Sequence, residues 1–269
     1  MRNRVAVVCL SLAIVLCGVV DVFAGASPTL SRIIERGELR IGMSGNQPPF
    51  VMKDREGNLM GFEVELATAV ADAMNVKLKL ITRPFGQLLP GLQGGDVDMV
   101  MSGLTMTPER NMQFAFVGPY FVSGKAILTK SQTLAQVQDA DNFDQENLTL
   151  VALQGSTSEQ FVKEVLPKAK LTTVEDYDIA VRMVREDKVQ AMVADRPICV
   201  ISVLRYPNAG LTTTASPLTL EPIGVAVPPD DPLFVNFMTN LLSAIEVTGG
   251  FEVLTQKWFE SSGWLAAMP

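Results

Sequence analysis

Residues 61–74 read Gly-Phe-Glu-Val-Glu-Leu-Ala-Thr-Ala-Val-Ala-Asp-Ala-Met. Phe62, Leu66, Ala69, Val70 and Ala73 recur at helical spacing, so the stretch is expected to form a helix with one apolar face. Runs of strand length flank it, at 39–43 and 77–81. A short helix at 86–93 and a buried strand at 97–101 follow. Thr107-Pro108-Glu109 then marks a helix start, with Thr as N-cap and Pro at the first helical position.

The alternation restarts further on. Strands are expected at 148–153, 171–174 and 189–194. Helices are expected at 157–166, ending near Pro167, and at 176–187. Two blocks of alternating strand and helix imply an α/β protein of two lobes. Two β-branched runs, each with a glycine, are left to join them, at 120–130 and 217–228. As extended crossovers they would form a hinge. The expected organisation is a signal peptide at 1–24, the first part of lobe 1 at 25–124, lobe 2 at 125–219, and a return to lobe 1 at 220–269. Helices near 232–248 and 250–260 complete the return.

The N-terminus carries secretory features. Arg2 and Arg4 precede an apolar run at 5–20, too short and wrongly flanked for a membrane span. Small residues at Val22-Phe-Ala24 place cleavage after Ala24, and Ala24-Gly-Ala26 offers a second site. Leu16 before Cys17 is too bulky for a lipidation signal. Cys9 and Cys17 leave with the signal, so Cys199 stands alone and the mature chain has no intrachain disulfide to form. Removing 1–24 takes away two arginines and one aspartate, moving the formal charge from −7 to −8. The acidity is spread rather than blocked, which argues against nucleic acid and anionic membrane surfaces. The chain has no histidine, which removes the usual general base and the commonest metal ligand. No metal or cofactor is expected.

Ligands of open α/β sheets bind outside the carboxyl ends of strands. Four such ends carry small or polar residues here: Ser44-Gly45, Ser102-Gly-Leu-Thr105, Gln154-Gly-Ser156-Thr157, and Asp195. Two belong to each lobe, and facing each other they would make a clamp. Arg110 lies in the first turn of the helix capped by Thr107, where a cation opposes the helix dipole at ~0.3–1 kcal/mol. A docked anion would reverse that sign, and so would a plain surface pairing with a nearby glutamate. Asp195 ends a buried strand and needs a partner for its charge. It is also followed by Arg196-Pro197, so it reads as a helix N-cap too, and the two roles are compatible. Glu63 and Glu65 do not share a helix face and are expected to be solvated or capping. Trp258 and Trp264 are expected to pack the lobe.

The 61–74 stretch, together with Ser102-Gly-Leu-Thr-Met-Thr-Pro-Glu-Arg110, resembles the extracellular solute-binding proteins of family 3. These carry amino acids to bacterial ABC importers. The resemblance implies a type II periplasmic-binding-protein fold, with two α/β lobes joined by two hinge strands. It implies that Arg110 grips a ligand α-carboxylate and Asp195 accepts from its α-ammonium. Ser102, Thr105, Ser156 and Thr157 would bond the ligand's backbone atoms, with Gly103 offering an N–H or C=O. Gln47, Phe50 and Phe85 match pocket-lining positions, Gln47 in place of a frequent aromatic. Phe50 also reads as plain core. Relatives that bind cationic amino acids tend to have an acid where Ser44 stands, so a polar or neutral amino acid is favoured.

The expected protein is a monomeric periplasmic receptor that serves a membrane ABC permease. It is not expected to be an enzyme. The alternatives are a dehydratase of the cyclohexadienyl or arogenate type on the same scaffold, and a soluble sensor-input protein. The dehydratase needs a general acid, and the matched cleft positions supply no carboxylate besides Asp195.

Overall fold

The computed structural model describes residues 27–136 and 144–269. The expected signal peptide and both cleavage points lie outside the described residues. Among the described residues no helix is long and apolar enough to cross a membrane.

Two five-stranded sheets organise the chain. In the first, the strand Glu38–Met43 runs parallel to Lys77–Thr82 on one side and Met99–Val100 on the other. Glu221–Val227 and Ala115–Ser123 extend this sheet in antiparallel pairing. In the second, Thr149–Leu153 lies parallel to Lys170–Val174 and Ala191–Asp195. Lys125–Thr129 pairs antiparallel to Ala191–Asp195, which sets Lys125 directly opposite Asp195. Thr212–Thr213 closes its far edge. The connections between neighbouring parallel strands contain helices. The architecture is the two-lobed α/β fold expected from the sequence.

The helix Phe62–Ala73 packs on the first sheet, but its buried face is not the one read from spacing. Phe62, Leu66 and Val70 are buried, and so are Glu63, Ala67 and Ala71, whereas Ala69 and Ala73 are exposed. Alanine at every second position from 67 to 73 satisfies either side of the stripe. Apolar periodicity therefore does not choose between the two sides. The choice falls to Phe62, which meets Phe50, Tyr120, Phe251 and Phe259 with ring centroids 5.6–6.5 Å apart. Those contacts turn Glu63 inward.

Several features escaped the pattern. The helix Pro28–Arg36 is capped by Ser27, whose Oγ accepts from Leu30 N at 3.0 Å. Asp231, at the start of the helix Pro232–Val247, accepts from Ser27 Oγ and Thr29 N at 2.7 and 2.8 Å, tying the first helix to the C-terminal one. A small sheet of Asn46–Gln47, Val51–Lys53 and Leu59–Met60 is built from strands too short to show a period of two. Thr212–Thr213 is shorter still than a legible alternation. The C-terminal helices agree better with expectation. Gly250–Thr255 runs into a wider turn at Gln256–Glu260, and Trp258 is buried beside Trp264.

The chain passes between sheets twice. Gly124 is the single residue between Ser123 in the first sheet and Lys125 in the second. The return leg runs beside it: Leu218 N donates to Lys125 O at 2.7 Å, and Lys125 N donates to Thr219 Oγ1 at 2.9 Å. A Cβ on Gly124 would stand 1.9 Å from the Thr219 carbonyl oxygen. Glycine is needed here for close approach of two backbones. Gly124→Ala is expected to lower stability by about 1–3 kcal/mol, the usual range for overpacking. Chemical denaturation checks this, and an unchanged midpoint would refute it.

Candidate functional site

The strand ends of the two sheets converge between the lobes. Arg110 sits on the single helical turn Pro108–Asn111, where Thr107 Oγ1 accepts from Arg110 N at 3.3 Å. One turn has little macrodipole, so the opposition expected from sequence is small. The guanidinium reaches across instead. Its Nη1 donates to Thr105 O at 2.7 Å and its Nη2 to Gly155 O, on the other lobe, at 3.2 Å. Its carbon lies 5.9 Å from the centre of the Phe85 ring. Among the described residues Arg110 is in no ion pair within 4 Å, so the reading of a surface arginine paired with glutamate does not hold. Burial lowers its pKa, while the charges of Glu221, Asp195 and Glu109 act to raise it.

Asp195 is buried at the end of its strand. It makes no side-chain cap bond to the helix Arg196–Arg205. Arg196, the competitor suggested by sequence, points away and donates to Ala215 O at 3.1 Å. The partner of Asp195 is Lys125, whose Nζ stands 2.7 Å from Oδ1. The same Nζ lies 2.8 Å from Glu221 Oε2. Burial raises the Asp195 pKa and Glu221 adds to the rise, with Lys125 opposing.

Glu221 and Lys125 were both missed in the sequence, and with Glu221 a second carboxylate in the cleft. Glu221 Oε2 accepts from Thr105 Oγ1 of one lobe at 2.9 Å and from Thr157 Oγ1 of the other at 2.8 Å. The two hydroxyls are 3.2 Å apart. Its second oxygen accepts from Thr219 Oγ1 at 3.1 Å. Burial pushes the Glu221 pKa up, but the Lys125 charge and the bonds from Lys125, Thr157 and Thr105 outweigh it, so the net shift is downward. A signal was available. Lys125 is the one charged residue in 111–129, and Glu221 the one charged residue in 206–229. Lone charges in otherwise uncharged buried segments need partners.

The remaining expected residues fall into two groups. Ser44, Gln47, Ser102 and Gly103 come together behind the cleft. Ser44 Oγ donates to Gln47 Oε1 at 2.8 Å, and Ser102 Oγ bonds both Gln47 Oε1 and Ser44 Oγ. Ser102 and Gln47 are buried, and their side-chain oxygens bond one another. Gly103 adopts φ +54°, and a Cβ there would lie 3.2 Å from the Gln47 amide nitrogen. Phe85 lines a groove of about 330 Å³ with Gly86, Gln154 and Gly155.

The second group does not point to a ligand. Phe50 is fully buried and meets Phe121 and Phe259 edge-on, with centroids 5.3 and 5.1 Å apart. It is core, and it backs Gly103. Ser156 is the N-cap of the helix Thr157–Val165. Its Oγ accepts from Glu159 N at 3.2 Å and donates to Leu153 O at 2.6 Å. The capping role takes its hydroxyl.

Glu63 corrects the expectation of a solvated or capping side chain. It is fully buried, and its Oε1 accepts from Gly103 N at 2.7 Å and from the Tyr120 hydroxyl. The Gly103 N–H is therefore taken, and only its carbonyl is left for a ligand. Among the described residues Glu63 Oε2 has no partner.

Residues 39–261 match the bacterial extracellular solute-binding proteins, family 3. The chain belongs to this family. Its relatives include the L-cystine-binding protein TcyJ of Escherichia coli, 25% identical over 230 residues that cover 86% of this chain and 85% of TcyJ. The cyclohexadienyl dehydratase of Pseudomonas aeruginosa is 26% identical over 231 residues, 86% of each chain. Among solved structures, a putative binding component of an ABC transporter from Wolinella succinogenes, complexed with lysine, superposes with a TM-score of 0.81. It is 36% identical, over 86% of this chain and 99% of that one. Family 3 proteins are extracellular or periplasmic solute-binding proteins, and several relatives are named for an amino acid they bind, among them a probable histidine-binding protein of Neisseria gonorrhoeae and an ABC transporter glutamine-binding protein of Bacillus subtilis.

Burial raises the pKa of Glu63 from 4.5 to about 7, against the lowering effect of the bonds from Tyr120 and Gly103. Because the folded-state value is the higher one, the associated stability is complete below pH 4.5 and is lost as pH rises through 7. At 1.36 kcal/mol per pKa unit the span is worth ~3 kcal/mol. Unfolding free energies at pH 5 and pH 8 are expected to show this fall in wild type and not in Glu63→Gln. An equal fall in both proteins would remove Glu63 as its source.

Proposed function

We propose that this chain captures a free α-amino acid between its lobes and delivers it to a membrane ABC permease. The observation that carries the reading is a half-buried guanidinium that spans both lobes without a carboxylate partner among the described residues, beside a cluster of acids. Arg110 would exchange its two carbonyl contacts for a ligand carboxylate, which its planar fork matches with two parallel bonds. Thr157 opens a nine-residue helix, whose positive end favours the same anion. Asp195, held by Lys125, faces the ligand ammonium. The lobes would open about the crossings at Gly124 and Thr219 and close on the ligand, burying both termini. A secretory leader at 1–24 fits the periplasm, where such a receptor meets its permease as a monomer.

A polar, uncharged amino acid is favoured, because Ser44 stands where relatives that bind cationic amino acids tend to have an acid. The cavity of about 170 Å³ that Ser44 borders is lined by neither Arg110 nor Asp195, so its charges do not bear on that choice.

The relationship to a dehydratase keeps one enzymatic alternative in view. Glu221 supplies the second cleft carboxylate that the sequence did not show. A general acid must hold a proton near neutral pH, and Glu221 is shifted the other way by Lys125 and the two threonines. Asp195 is shifted upward by burial, but it is held by Lys125 and assigned to the ligand ammonium, so neither acid is free for catalysis. Incubation with arogenate is expected to yield no phenylalanine, and steady production of it would overturn the binding reading.

Losing one partner of a buried, hydrogen-bonded charge pair costs ~2–5 kcal/mol. Arg110→Ala is therefore expected to weaken amino-acid binding by roughly 30- to several-thousand-fold. The ligand is to be found first by thermal shift across the common amino acids, and the variant then titrated calorimetrically. Affinity within three-fold of wild type would refute the assignment.

A further inference from the structure

We propose that Glu221 is a second acid that receives the ligand ammonium, and that Lys125 holds Glu221 and Asp195 in place for it. The inference rests on the reading of the cleft as an amino-acid site. It adds a contact from the returning crossover, outside the strand ends where the sequence placed the site.

The charge count leads to it. One ammonium, Lys125 Nζ, lies 2.7 Å from Asp195 Oδ1 and 2.8 Å from Glu221 Oε2. Two carboxylates sharing one cation are near neighbours and repel each other. Burial raises the Asp195 pKa, and the charge of Glu221 adds to the rise. The trio carries one uncompensated negative charge in a site where Lys125 is 1% exposed. Arg110 does not cancel it directly, because its nitrogens face the carbonyls of Thr105 and Gly155. The cleft thus needs one more cation at its acids and one anion at its arginine. An α-amino acid brings both.

Glu221 is the more open of the two acids to an incoming cation, although its Oε2 already accepts from Lys125. Its side chain is 12% exposed against 5% for Asp195. Its Oε2 collects Thr105 and Thr157, one hydroxyl from each lobe, at the point where the lobes meet. A threonine hydroxyl has one proton and two lone pairs. Both can keep donating to Glu221 while their lone pairs face an ammonium. Lys125, Asp195, the ligand ammonium and Glu221 then form a ring of alternating charge. A 2-hydroxy acid would leave that ring broken, with a buried carboxylate unpaired, and a site built this way rejects such an analogue strongly.

The test compares wild type and Glu221→Gln by calorimetric and competition titration with the twenty common L-amino acids and their matching 2-hydroxy acids. Glutamine keeps the length and an oxygen acceptor for both threonines. The amino acid is expected to bind at least ~10-fold more weakly to the variant, with 2-hydroxy acid affinity nearly unchanged, so the preference for the amino acid shrinks by the same factor. Amino-acid affinity that is unchanged or improved in the variant overturns the inference, because Glu221 would then only latch the lobes. An equal loss for both ligand classes overturns it too, marking a role in holding the cleft together. Wild type that binds none of the amino acids overturns both this inference and the proposed function. Should Glu221→Gln fail to fold, Glu221→Asp retains the charge but withdraws it by one methylene. A loss of at least three-fold in amino-acid affinity is expected there, and no loss overturns the inference.

Discussion

A lysine that has left water needs carboxylates around it, and the two crossings of this chain are arranged to supply them. Lys125 follows the glycine of the outgoing crossing and lies opposite Asp195 in the ladder. Glu221 begins the strand that the returning crossing feeds into the first sheet. Burial without these partners would cost several kcal/mol per charge. Lys125 therefore ties the crossings to one another and to the end of the second sheet. Gly124 permits the approach, since no other residue fits against the Thr219 carbonyl.

A second layer sits behind the first. Glu63 anchors Gly103 through its N–H, and the Ser44, Gln47 and Ser102 group fixes the same turn from the other side. The carbonyl that Arg110 contacts, Thr105 O, lies two residues further along this turn. The buried carboxyl of Glu63 is a poor choice for stability, as its raised pKa records. It makes sense as support for the turn that carries Gly103 and Thr105 into the proposed site.

Most of the fold was legible because its signals are local. The runs at 39–43, 148–153 and 171–174 lie within a residue of the observed strands, and Thr107-Pro108 caps the turn that presents Arg110. Arg110 and Asp195 could be proposed because each sits at a strand or helix end and matches the family. What stayed hidden depends on contacts between distant segments. The inward turn of Glu63 is decided by the aromatic cluster around Phe62, to which alanine spacing is blind. Lys125 and Glu221 face each other only after both crossings are laid side by side. Each was a lone charge in a long uncharged run, which marks a residue in need of a partner but does not say where the partner is. Phe50 and Ser156 show the reverse problem: positions matched to a pocket that the packing assigns to the core and to a helix cap.

The central claim is that this cleft holds a zwitterion by its two ends, and a crystal structure of the protein with its amino acid tests it most directly. The account predicts the α-carboxylate in two parallel bonds with the Arg110 guanidinium, and the ammonium on the acid side of the cleft beside Asp195. A bound amino acid that leaves Arg110 on the carbonyls of Thr105 and Gly155, or that lies outside the space between the lobes, would contradict it.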